Sequence, residues 1–203
     1  MKITAYCHLT HSHIFCNGEL KYQCADAENF LHFLHAAYRH AAPGYAKFFK
    51  MDPLSKLAFI ATHFLIQHSP WEQKERHEKT AIIINNSDSS IAVDKQYQTS
   101  IETFPSPSLF VYTLPNVMVG EIAIRYKIYG ENSVFISEKF DPHQLVRMIQ
   151  VTEQDGNATQ FLTGYIDGND ENGEAFLMLI EEKEEGIPFH LESVISLYTS
   201  FTK

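Results

Sequence analysis

Residues 114–144 read LPNVMVGEIAIRYKIYGENSVFISEKFDPHQ. The pattern divides into a helix, a turn, a short buried strand and the start of a second helix. Asn116 is placed to cap the first helix, which carries Val117, Gly120, Ala123 and Ile124 along one side. Gly120 in mid-helix costs about 1 kcal/mol against alanine, and a close approach by another backbone would explain it. Residues 133–137 form the strand. Asp141 and Gln144 then stand at capping-box spacing, with Pro142 at the first helical position, where its missing N–H costs nothing. Phe140 and Leu145 are spaced to staple across that start. Strand-to-helix junctions of this kind often present a nucleophile. This one carries Glu138, Lys139, Phe140 and Asp141.

Working outward, TAIIINN (residues 80–86) is a continuous apolar run ending in turn residues, the signature of a strand buried on both faces. Upstream, residues 2–9 suit a strand and residues 25–40 a helix, with Phe30, Leu31, Leu34 and Ala37 or Tyr38 on one face. Asp52 and Pro53 open another helix, striped by Leu54, Leu57, Ala58, Ala61, Phe64 and Leu65. Residues 87–102 read as loop then short helix, and SLFVYTLP (residues 108–115) as extended. Residues 159–167 and 174–182 make two strands around the turn-rich DGNDENG. That turn does not keep the EF-hand frame, so a solvated hairpin turn is the reading. The tail FHLESVISLYTSF is read as a further strand. The order is strand, helices, strand, helix, strand, helix, hairpin: an α/β chain with a mixed sheet packed with helices, in a single domain over residues 1–203.

Composition sets limits on function. The chain has 203 residues, 44% hydrophobic, enough for one sizeable core. A net charge of -9 without a long basic stripe argues against nucleic acid. No apolar run is long enough to span a bilayer, and the N-terminal residues lack the apolar core of a secretion signal, so the expected compartment is cytoplasmic. Three cysteines, Cys7, Cys16 and Cys24, do not suggest a disulfide framework. Cys7, His8, His11, His13 and Cys16 have the residue types of a zinc site, but their spacing matches no ligand pattern; a strand followed by a His-rich loop, without metal, is expected.

Several motifs then align in order. Lys50-Met51-Asp52 opens a helix, and a buried strand runs into NNSDSS. Pro115-Asn116-Val117 follows, with Gly120 and Ile124, and Gly130-Glu131-Asn132 precedes the short strand. With the later DGNDENGEAFLMLIEE, this resembles the N-terminal half of β-ketoacyl synthases of the thiolase-like fold. The resemblance covers almost the whole chain, weakly at its start. It places the family's catalytic cysteine at Lys139, counting from Gly130, and no cysteine occurs after Cys24. Family synthases are considerably longer, and their second half supplies two histidines with no counterpart here. The chemistry needs a thiolate and two imidazoles around one thioester carbonyl.

The resemblance therefore implies a non-catalytic, truncated subunit like a chain-length factor, with no cofactor. It would pair as a heterodimer with a full-length β-ketoacyl-ACP synthase and meet acyl carrier protein transiently. It would act in polyketide, fatty-acid-type or aryl-polyene (flexirubin-type) biosynthesis. Leu109, Phe110, Val111, Tyr112, Thr113 and Leu114 would reach the partner's acyl tunnel. Asn116, Met118, Gly120, Val134 and Ile136 would lie at the interface. One half alone is also expected to expose the apolar layer that meets the other half. Other readings stay open: Lys139 as an ordinary solvated lysine, Phe110 and Tyr112 as plain core or interface residues, and a stand-alone homo-oligomer that binds acyl groups or acyl carrier protein. A further one is an enzyme with an unrelated site in the turn from Asn85 to Ser90, against which a simple turn competes.

Overall fold

The computed structural model describes residues 1–25, 27–72 and 76–201. Its strands are β1 (Lys2–Leu9), β2 (His13–Cys16), β3 (Glu19–Gln23), β4 (Thr80–Asn86), β5 (Asn132–Ile136), β6 (Gln160–Gly168), β7 (Gly173–Glu181) and β8 (Ile187–Pro188). Its helices are α1 (Phe30–Ala41), α2 (Pro53–Gln67), α3 (Ile91–Ile101), α4 (Pro107–Val111), α5 (Val117–Tyr126), α6 (Pro142–Gln154) and α7 (Leu191–Thr199), with a 3₁₀ turn at Ala46–Lys50.

All strands join one mixed sheet in the order β3-β2-β1-β7-β6-β4-β5, with β8 beside the start of β1. β4 is parallel to both its neighbours, β5 and β6, and every side chain of it is buried. β6 and β7 form an antiparallel hairpin from Gln160↔Glu181 to Gly168↔Gly173, so DGNDENG is its turn. β1 pairs with β7 on one side and β2 on the other.

Helices cover both faces. On one, α2 is buried along its length from Leu54 to Ile66 and packs with α1 and α5 in a core that holds Phe33, Leu57, Phe64, Ile82 and Leu162. Its apolar side chains are joined inside by Ser55, Lys56, Thr62 and His63, so the helix is buried on every side. Each large apolar side chain it buries contributes about 1.5–3 kcal/mol. Asp52 caps it, accepting from the Ser55 amide at 3.2 Å, with Pro53 in the first turn. On the other face, α6 and α7 enclose Phe140, Leu145, Ile149, Phe161, Phe176 and Val194. Phe140 and Leu145 thus meet in one cluster, as their spacing predicts.

Four sequence expectations are corrected. The His-rich stretch is not one loop: Cys7 and His8 end β1, residues 10–12 turn the chain, and His13–Cys16 form β2, which pairs on with β3 through a turn at Asn17 (φ 53) and Gly18 (φ 83), both left-handed. That conformation matches the strand twist and suits Asn-Gly. Residues 108–115 are not extended. Ser106 accepts from the Leu109 amide, Pro107 sits in the first turn, and α4 results. The tail forms helix α7 rather than a strand, with His190 accepting from the Ser193 amide at its start. Asn116 occupies the cap position of α5, but its side chain makes no capping bond.

Helix α7 covers part of the sheet face it shares with α6. Val194 is fully buried there and the Tyr198 ring lies 4.7 Å from the Phe140 ring. The cysteine–histidine cluster disperses. Cys7 and Cys16 face each other across β1 and β2 as buried free thiols, and burial pushes the Cys7 thiol up. His8 bonds Glu174 at 2.6 Å, His11 stacks on Phe30 and His13 on Phe15. Among the described residues no group of three His, Cys, Asp or Glu side chains stands close enough to hold a metal.

Candidate partner-facing site

The stretch of residues 114–144 lies at one edge of the sheet, where β5 has, among the described residues, a single neighbour, β4. Its approach is fixed by close backbone contact. The His77 amide donates to the Lys127 carbonyl at 2.8 Å, the Tyr129 amide to the His77 carbonyl at 3.0 Å, and the Ile82 amide to the Glu131 carbonyl at 2.8 Å. Gly130 sits between these bonds. A Cβ there would come within 2.2 Å of the Thr80 carbonyl oxygen, so only glycine fits.

The other end of β5 is locked by two asparagines. Asn85 donates to the Phe135 carbonyl at 3.1 Å and to Ser137 Oγ at 2.7 Å, and accepts from the Asp141 amide at 2.8 Å. Asn86 donates to the Ile166 carbonyl and Asp167 Oδ1, and accepts from the Ser89 amide. Ser87 pairs with the Tyr165 hydroxyl at 2.9 Å. Burial raises the Asp167 carboxyl, which the Ser87 and Asp88 amides pull back. The polar groups of NNSDSS thus hold three strand ends together. The cavity beside them, between Asp52, Ser90 and Asn169, measures about 20 Å³, the size of a water site.

The junction after β5 is held by local hydrogen bonds and carries no cysteine. Ser137 Oγ donates to the Lys139 carbonyl at 2.6 Å, and Asp141 accepts from the Gln144 amide at 3.0 Å. The reciprocal half of the capping box is absent, because Asn85 takes the Asp141 amide. The Lys139 side chain is exposed.

The predicted tunnel residues separate into two orientations. Phe110 is 55% exposed and touches Tyr97 at 5.4 Å; Val111 and Leu114 are also exposed, and Leu109 partly so. Tyr112 turns inward. Its hydroxyl donates to Glu121 at 3.4 Å, and burial with the nearby Glu121 and Asp52 carboxylates pushes its pKa up to about 12. Thr113 is half-buried, its carbonyl accepting from Ser90 Oγ.

The predicted interface residues also divide. Asn116 is exposed and Ile136 is 48% exposed. A Cβ on Gly120 would meet nothing within 4 Å, so no backbone of this chain approaches it, contrary to expectation. Met118 is 1% exposed and belongs to the core with Val119 and Ile122, which removes it from any interface. Val134 packs half-buried against the same core. The side of α5 read as its apolar stripe is therefore the outer one. There Ile124, at 66% exposure, was missed as a surface candidate, as was Phe104, at 78%, ahead of α4. The helical phase shared with Gly120 pointed to Ile124; nothing local pointed to Phe104.

No family model matches the chain, and no curated protein matches it. Solved structures do. The ishigamide ketosynthase/chain length factor aligns over 92% of this chain and 63% of its own, with a TM-score of 0.66 and 14% identity. The fold is that of ketosynthases and chain length factors. A ketosynthase (ApeO) in complex with its chain length factor (ApeC) from Xenorhabdus doucetiae aligns over 91% of this chain and 77% of its own, with a TM-score of 0.53 and 15% identity. AntDE:AntF, a type II PKS acyl-carrier protein in complex with its ketosynthase, aligns over 89% of this chain and 62% of its own, with a TM-score of 0.57 and 13% identity. The chain spans under two thirds of the length of the first and third of these. At these identities the likeness carries the thiolase-like fold alone. Among the described residues no helix is long and apolar enough to cross a membrane.

Proposed function

We propose that the chain is a non-catalytic subunit of chain-length-factor type that pairs with a full-length β-ketoacyl-ACP synthase and shapes its acyl cavity. One observation carries this reading: an edge strand open along one side, β5, with Ile136 exposed on it, in a chain that also exposes Ile124 on α5 and Phe110, Val111 and Leu114 in and after α4. An unpaired strand edge seeks hydrogen bonds, and large exposed apolar side chains favour a partner over water. Lys139 at the strand–helix junction, where the resemblance expects cysteine, supports a partner without condensing chemistry of its own. Asn116, Gly120 and Ile136 would face the synthase, and Leu109, Phe110 and Leu114 would reach toward its tunnel. An acyl carrier protein would dock on the pair transiently. Aryl-polyene or flexirubin-type pigment synthesis is the product class we favour, on the sequence resemblance.

Purification of the tagged chain from its native host tests this. A heterodimer predicts a ketosynthase retained at equal stoichiometry, while the chain alone turns over no acyl and malonyl thioesters. A homodimer of the chain with no synthase bound would replace the reading with a self-associating acyl-binding domain.

A further inference from the structure

Between Ile101 and Val117 no side chain is buried. This segment carries the proposed tunnel residues, and it rests on the body through few contacts. The Ser106 amide donates to Ser100 Oγ at 3.3 Å, Ser90 Oγ donates to the Thr113 carbonyl, and the Phe110 ring meets Tyr97. Tyr112 alone among its aromatic rings reaches inward, to Glu121. Glu121 is 4% exposed, accepts from Lys47 Nζ at 2.8 Å through the same oxygen, and leaves its second buried oxygen without a partner. A buried carboxylate with an unmatched oxygen costs stability, so core packing does not account for it. Its two donors do: one from the 3₁₀ turn, one from the segment.

We propose that Glu121 is a positioning residue that helps hold residues 103–114 in place through the Tyr112 hydroxyl, beside the Ser90–Thr113 bond, so that the segment is a hinged flap with releasable tethers and not a fixed wall. The consequence for acyl-chain length rests on the chain-length-factor reading; the tether itself rests on the geometry above. A segment with no buried side chain opens at low cost, and the Tyr112–Glu121 contact is one of the few bonds that keep it closed.

Amide hydrogen exchange on the purified chain tests the tether without a partner. The amides to follow are Phe110, Tyr112 and Thr113, bonded to the carbonyls of Ser106, Leu109 and Phe110. Tyr112→Phe and Glu121→Ala are expected to speed their exchange about tenfold, with β6 and β7 amides unchanged. Glu121→Gln, whose carbonyl still accepts from Tyr112, is expected to restore slow exchange. Exchange in Tyr112→Phe within twofold of the wild type, or faster exchange in all elements alike, overturns the proposal. Tyr112→Phe decides the matter even where Glu121→Ala does not fold. With the synthase bound, released variants are expected to broaden the product lengths, and Glu121→Gln to narrow them again. Failure to bind any synthase would sink the functional reading and leave the exchange result to judge the tether.

Discussion

Gly120→Ala separates what the chain needs from what a partner needs. Gly120 lies in the middle of α5, and an added methyl meets no atom of the chain within 4 Å. Glycine in a helix interior costs about 0.8–1 kcal/mol against alanine. The substitution should therefore stabilise the isolated chain by about 1 kcal/mol, and raise Tm by about 2–4 °C for a protein of this size. The opposite is expected in the complex. A methyl forced into a packed interface costs about 1–3 kcal/mol, which weakens the affinity about 5- to 150-fold. Differential scanning fluorimetry of the chain alone and calorimetric titration with its synthase read the two effects separately. A lower Tm alone would reveal a contact within the chain that the geometry does not contain. Affinity within twofold of the wild type would remove this face of α5 from the interface.

Two further substitutions probe the same region. Phe110→Ala in the reconstituted pair should lengthen the products, since each additional methylene accommodated is worth about 0.8 kcal/mol, roughly a fourfold preference; an unchanged distribution with an intact complex would make Phe110 a plain surface residue. Gly130→Ala should lower Tm by about 5–10 °C, because relieving a 2.2 Å contact with the Thr80 carbonyl displaces the turn that feeds β5 and costs about 2–3 kcal/mol of backbone bonding; a Tm within 2 °C of the wild type would show that the turn yields freely.

Elements with strong local signals were legible in the sequence. Asp52-Pro53 and Asp141-Pro142 each begin a helix where cap chemistry predicts, and Thr80–Asn86 is the buried strand its unbroken apolar run implies. Where two local signals conflicted, the louder one misled. In the tail, Val194, Ile195 and Tyr198 have strand-like side chains, yet Leu191, Val194, Ile195 and Tyr198 repeat at helical spacing, and packing on Phe140 favours the helix. At Leu109–Phe110–Val111 the apolar run outweighed the Ser106-Pro107 cap before it. At Asn17-Gly18 the surrounding histidines and cysteines drew attention from a plain hairpin turn. The candidate site was legible only in part. The sequence named Phe110, Gly120 and Ile136, which lie at the surface, but it could not tell that Met118 faces inward while Ile124 faces out. The partners of Asn85, Asn86 and Glu121 lie on other elements, some of them 50 to 81 positions away, and no local pattern announces them.

The pairing of β1 with β7 has a consequence for biosynthesis. Thr4 and Glu181, bonded across these strands, stand 177 positions apart. At about 5–20 residues per second, a translating ribosome leaves roughly 9–35 s between making the two. Throughout that interval the β1–β2–β3 meander has one open side, and β4, once made, waits first for β5 and then for β6. A nascent chain in this state offers unpaired strands to any passing polypeptide, so a chaperone that shields the early hairpin would raise the yield of folded protein more than one acting after release.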